Sequence, residues 1–156
     1  MTAAHFHLLI VHVPIVLCPL ALVVLMVDGR RESPPSVFGY VLLMVAGLLG
    51  GLAYYSGPSA YEQLQTTLAA DKEWVEQHAV IGKAAFVVLI LVSVLALQIV
   101  LRILQEEPVS KGLRLSVLVG ALLAAYVLAW AAHLGGQIRH VEIRESEWMI
   151  FPHLPG

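Results

Sequence analysis

The sequence predicts an all-α membrane protein folded as a bundle of four transmembrane helices. Charged residues make up 13% of the 156 residues and apolar residues 59%, with a mean hydropathy of +0.83. A soluble domain needs about 25% charge to cover its water-facing surface. The apolar residues also gather into four runs, each close to the ~20 residues a helix needs to cross a hydrocarbon core. No run alternates polar with apolar residues, which excludes membrane-spanning strands.

The first run, residues 8–27, is interrupted only by His12, Pro14 and Pro19. Residues 1–7 contain no Lys or Arg, so it reads as a retained span and not as a signal peptide. Arg30, Arg31, Pro34 and Pro35 make the turn into a second span at 37–56. Gly57 and Pro58 are expected to open a loop over residues 57–77. Asp71 and Glu73 place acids where a helix begins, so the third helix is expected to start near Lys72 and to span 79–104. Pro108 ends it. The fourth span covers 113–134 and leaves residues 135–156 as a tail that turns aromatic at 148–151. The whole chain is one membrane domain.

A net charge of −2 gives no basic footprint for nucleic acid. The single Cys18 excludes an internal disulfide, and no CxxCH motif is present for covalent haem. Without a phosphate-binding loop, a nucleotide fingerprint or a nucleophile arrangement, an electron-transfer subunit is expected and not a self-contained enzyme. Arg30, Arg31, Arg102, Lys111 and Arg114 occupy the two short turns after the first and third spans. Lys72, Lys83, Arg139 and Arg144 lie at the opposite end, with both termini. Basic residues in short turns stay inside. The turn end is therefore expected in the cytoplasm of a bacterial cell, and both termini on the periplasmic side of its inner membrane.

All seven histidines, at 5, 7, 12, 78, 133, 140 and 153, fall at the terminal end. For His5, His140 and His153 an interfacial position suffices, because the polar tip reaches water. His12 lies inside the apolar run, where an imidazole needs a partner. At about 1.5 Å of rise per residue, His7, His78 and His133 lie at similar levels and His12 roughly 7 Å deeper. Bundles build cofactor and metal sites from such side chains on facing helices. His12, His78 and His133 are the expected ligands, with His7 needed for a second site. Gly82, one turn inward from His78, leaves room for a flat macrocycle, and Lys83, Arg139 and Arg144 have the height to pair with propionates. Snorkelling accounts for these cations equally well. The glycines at 47, 50 and 51 read as helix packing.

Zinc would usually add a cysteine or a carboxylate, and the only cysteine, Cys18, is in the wrong place. A di-iron site would need Glu-x-x-His pairs, and that spacing is missing. Neutral imidazoles on facing apolar helices best fit b-type haem, one or two copies. Another metal and purely structural histidines stay open as readings. The opening HFHLLIVHVP (5–14) and the closing HLGGQIRH (133–140) resemble a broad family of four-span membrane proteins, largely of unknown function. Its members start with His-x(4)-His-aromatic-Pro, carry a histidine opening helix three, and end helix four with His-x-Gly-Gly. His7, His12, His78, His133, Gly135 and Gly136 match, and Val13 replaces the aromatic. The resemblance covers all four spans and implies b-type haem in a redox complex. It further implies a periplasmic redox protein or other subunits as partners, with quinone as a candidate. The alternatives are a membrane anchor with structural histidines and a periplasmic-face metal-binding protein.

Overall fold

A computed structural model describes residues 1–29, 36–68, 72–140, 142 and 144. It consists of α1 (Ala3–Asp28), α2 (Phe38–Leu68), α3 (Lys72–Leu104) and α4 (Lys111–Arg139). Each helix is long and apolar enough to cross a membrane, and no strand occurs among the described residues. The protein is a multi-pass membrane protein with a four-helix bundle. Arg30, Arg31, Pro34, Pro35, Asp71, His153 and the aromatic stretch at 148–151 lie outside the described residues.

Each helix packs on its chain neighbours, and α4 closes the ring against α1. Neighbours run antiparallel. Ala4 meets Gln63 at one end of the α1–α2 pair, and Leu25 meets Gly39 at the other. The core is a column of fully enclosed side chains, with Cys18 on α1, Leu43 on α2, Leu89 and Ile99 on α3, and Val117 on α4. Glycines set how closely the backbones approach. A Cβ on Gly50 would stand 2.8 Å from Leu89 Cδ2, and one on Gly120 would stand 2.6 Å from Val92 Cγ2. These are the small-residue contacts by which membrane helices pack without a hydrophobic driving force.

Two polar side chains in the middle of the bundle are paired with backbone carbonyls. The Ser93 hydroxyl lies 2.8 Å from both the Leu43 and the Leu89 carbonyl oxygens, linking α3 to α2. The Cys18 thiol donates to the Ala121 carbonyl at 3.5 Å, linking α1 to α4. At the turn end α3 stops where Glu106 adopts a left-handed φ of 56°. The Glu106 and Glu107 amides then close back on the Ile103 and Arg102 carbonyls, a capping arrangement commonly succeeded by a proline, here Pro108.

The structure differs from the loop expected over 57–77. Helix α2 runs through Gly57 and Pro58 to Leu68, and α3 resumes at Lys72. A proline ring disfavours helix by clashing with the Cβ of the preceding residue and by removing one donor. Gly57 has no Cβ to clash. Beyond Pro58 come Ser59 and then Ala60, Glu62, Gln63, Leu64 and Gln65, mostly good helix formers, and Ala60 is buried against the bundle. With 31 residues, α2 is about 46 Å long, well beyond a core of roughly 30 Å. The tail begins later for the same reason, since α4 continues through Gly135 and Gly136 to Arg139.

A Cβ on Gly47 would lie 2.1 Å from Ser93 Oγ and 2.8 Å from its Cβ. Gly47→Ala is therefore expected to destabilise the bundle by about 1–3 kcal/mol, the usual cost of overpacking. Ser93→Ala in the same chain should restore part of the loss. Thermal unfolding in detergent measures both, and an unchanged midpoint for Gly47→Ala would contradict this packing.

Candidate functional site

The terminal end is built from the start of α1, the last turns of α2, the first turns of α3 and the last turns of α4. Thr2 caps α1 by accepting from the His5 amide. The Ala4 amide donates to Gln63 Oε1 at 3.0 Å, tying the start of α1 to the extended part of α2. His7 lies seven residues before Pro14, and His78 seven before Ala85, both buried positions. Two helical turns return a residue to nearly the same face. Both rings therefore continue the inward stripes of their helices.

His7 is half-buried, and its Nδ1–H donates to Ser56 Oγ at 2.9 Å. The Ser56 hydroxyl in turn donates to the Ala53 carbonyl at 2.9 Å, so the serine oxygen is the acceptor for the ring. The His78 Nδ1–H donates to the Ala131 carbonyl of α4 at 2.9 Å. A carbonyl cannot donate, so the proton on His78 sits at Nδ1. Both neutral rings thereby keep Nε2 free of a proton, and a positive charge on one would be felt by the other. This is the orientation of a metal-ligating histidine, whose second nitrogen is held by a carbonyl or hydroxyl.

Two glycines seat the rings. A Cβ on Gly57 would stand 3.7 Å from His7 Cε1, in ordinary contact. One on Gly135 would stand 3.2 Å from Cε1 and 3.3 Å from Nδ1 of His78, which is too close. At Gly82 a Cβ would meet nothing within 4 Å, so space is open one turn below His78.

The other expected ligands face outward. His12 is exposed on α1, and its Nδ1–H donates to the Leu8 carbonyl of its own helix. It stands two residues before the inward Pro14, about 200° round the helix. His133 is also exposed, and the amide nitrogen of the buried Gln137 donates to its Nε2 at 3.3 Å. The alanine row 121, 125, 129 leads to it, but each four-residue step over-rotates by about 40°. Ala121 is thus buried while Ala129 and His133 are exposed. The structure brings together His7 and His78 and leaves His12 and His133 on the outer face.

Lys83 and Arg139 are exposed. Arg144 is engaged elsewhere. It donates to the Gln137 and Ile138 carbonyls at 2.6 and 3.2 Å and lies 4.8 Å over the Trp74 ring. A cation on the final carbonyls of α4 opposes the negative end of the helix dipole, and the stacking clamps α4 to α3 one turn outward from His78. His5 pairs with Thr2 and His140 with Glu142, both exposed. Among the described residues no three His, Cys, Asp or Glu side chains converge on one point. Ser56, Gln63 and Gln137 were not predicted from sequence. Gln63 matters only once α2 is known to continue past Pro58.

No family model matches the chain, and no characterised protein or solved structure matches it either. The chemistry of the site is read from its own side chains.

Gly135→Ala is expected to displace the His78 ring and break its bond to Ala131, at a cost of about 1–3 kcal/mol. In a His78→Ala background the same substitution should cost much less, since the ring is gone. Unfolding midpoints of the four chains test this, and additive losses would mean that Gly135 acts independently of His78.

Proposed function

We propose that this protein is a membrane cytochrome b-like electron-transfer subunit in which His7 and His78 would hold a b-type haem near the periplasmic face. The observation that carries it is the pair of inward imidazoles whose Nδ1 atoms are held and whose Nε2 atoms are free. A b-type haem asks the protein for no more than two ligands, which these two imidazoles would supply. A zinc site would need three or four protein ligands. The donor set fits haem better than a bare ion. Bound there, the haem would supply one-electron redox chemistry.

The chain's own residues hold and tune the site. Ser56 and the Ala131 carbonyl keep each ring in the ligating tautomer and raise its basicity. Lys83 and Arg139 are the exposed cations available to propionates, and Gly82 leaves the open space beside His78. His12 and His133 are the candidate ligands of a second haem, which another subunit of a larger complex would cover. A periplasmic redox protein and quinone, or that larger complex, are the proposed electron partners. A second reading has support in the same contacts. Each of the four rings already has a hydrogen-bond partner, as expected of structural histidines in a membrane anchor.

An absorption spectrum separates the two. Protein purified from a haem-sufficient native host should show a Soret band that shifts on dithionite reduction, with sharp α and β bands. His7→Ala and His78→Ala should each lower haem content several-fold, while His5→Ala retains it. Partial loss in His12→Ala or His133→Ala would report the second haem. A colourless, metal-free preparation would leave the anchor reading standing.

The orientation is tested separately. Alkaline phosphatase fused after Gly156 should be active if the terminal end is periplasmic. Fluorescence of a cytoplasm-dependent reporter at the same position would place the histidines in the cytoplasm instead.

A further inference from the structure

At the opposite end of the bundle, α1, α2 and α4 enclose a cleft of about 360 Å³, within the size range of small-molecule sites, about 300–1,000 Å³. Its rim is polar. Lys111 and Arg114 stand in the first turn of α4, with Asp28 and the hydroxyl-bearing Tyr40 across from them. Its inner wall is apolar, with Leu25 and Leu118 each about one turn deeper toward the membrane centre.

The rim attracts anions. Neither Lys111 nor Arg114 forms an ion pair among the described residues. The start of α4 adds the partial positive charge of its unpaired amides, and Ser110 takes up only the Leu113 amide. Tyr40 is almost fully buried, yet it lies within electrostatic reach of both Arg114 and Asp28. Among the described residues, one carboxylate therefore faces two cations and a helix N-terminus. Basic side chains that merely snorkel need no cleft. Here a charged rim sits above an apolar wall, the order in which a lipid presents its phosphate and its acyl chains.

We infer that this cleft binds the phosphate of an anionic phospholipid in the adjoining leaflet, with Lys111, Arg114 and Tyr40 as its contacts. Basic pockets between membrane helices are where acidic headgroups bind. The site is independent of the histidine end and of any cofactor there. It also gives Lys111 and Arg114 a binding role beyond orienting the chain.

Native mass spectrometry of the intact protein in detergent, titrated with phosphatidylglycerol or phosphatidylcholine, tests this. Phosphatidylglycerol should bind at least several-fold more tightly. The double variant Lys111→Gln, Arg114→Gln should weaken it by roughly tenfold or more, and Tyr40→Phe by less. Lys72→Gln, at the other end, should leave binding unchanged, and circular dichroism should show the same helix content throughout. Glycerol 3-phosphate distinguishes the source of the phosphate. Failure to compete at millimolar concentration supports a lipid, whereas full competition would overturn the role of the apolar wall. Equal affinity for the two lipids, or a double variant that binds like the parent, would overturn the site.

Discussion

Hydrocarbon offers a buried polar group no hydrogen-bond partner, and the interior of this bundle is organised by that constraint. An unsatisfied group at membrane depth costs several kcal/mol. Ser93, Cys18, Ser56 and His78 are accordingly each matched to a backbone carbonyl, and His7 to a side chain that is itself matched. Ser93 bridges to α2, Cys18 reaches α4, and Ser56 folds back on its own helix before receiving His7. His78 crosses to Ala131. These bonds bind particular helices in a particular register, which apolar packing alone does weakly. The glycines at 47 and 135 serve the same end, since each lies against a polar side chain that must hold one position.

The constraint shapes what the histidine end can do. An imidazole has two nitrogens, and satisfying one with a carbonyl fixes the proton there and leaves the other as a lone pair. The bonds that stabilise His7 and His78 structurally are thus also the ones that prepare them as ligands. Structural and ligating roles differ only in what the two free nitrogens meet. All the candidate ligands stand at one end, so a haem held there could exchange electrons along that surface. It could not carry them across the bilayer without a partner that reaches the other side.

The four spans were legible in the sequence because apolar length and missing charge are sums over many residues. So was the gathering of the histidines, which requires only counting passes through the membrane. Direction around a helix was not legible. A helix that is amphipathic declares its inward face, but α1 is apolar all the way round and gives no phase. Depth alone ranked His12 above His7 as a ligand, whereas the structure turns His7 inward and His12 outward. On α4 the alanine row suggested a straight path to His133, and the 3.6-residue period carries that row off the buried face. Gly57 and Pro58 misled for a different reason. Each residue disfavours helix, but glycine spares proline one of its clashes, and α1 likewise continues through Pro14 and Pro19.

Depth, once direction is known, places the histidine pair relative to the lipid. Lys83 stands five residues below His78 on α3, and His12 five residues below His7 on α1, so both lie about 7 Å deeper than the pair. An exposed ammonium must reach water or headgroups, which sets the upper edge of the hydrocarbon near Lys83. His12, exposed at that level, can present its outer nitrogen to the headgroup layer without a protein partner. His7 and His78 lie about 7 Å nearer the terminal end than Lys83 and His12, in a part of the bundle walled by neighbouring helices. The extension of α2 past Pro58 supplies one side of that wall, held to α1 through Gln63. The Trp74–Arg144 clamp closes the side between α3 and α4. The same extensions keep the pair half-buried, sheltered from bulk water close to the terminal surface of the bundle.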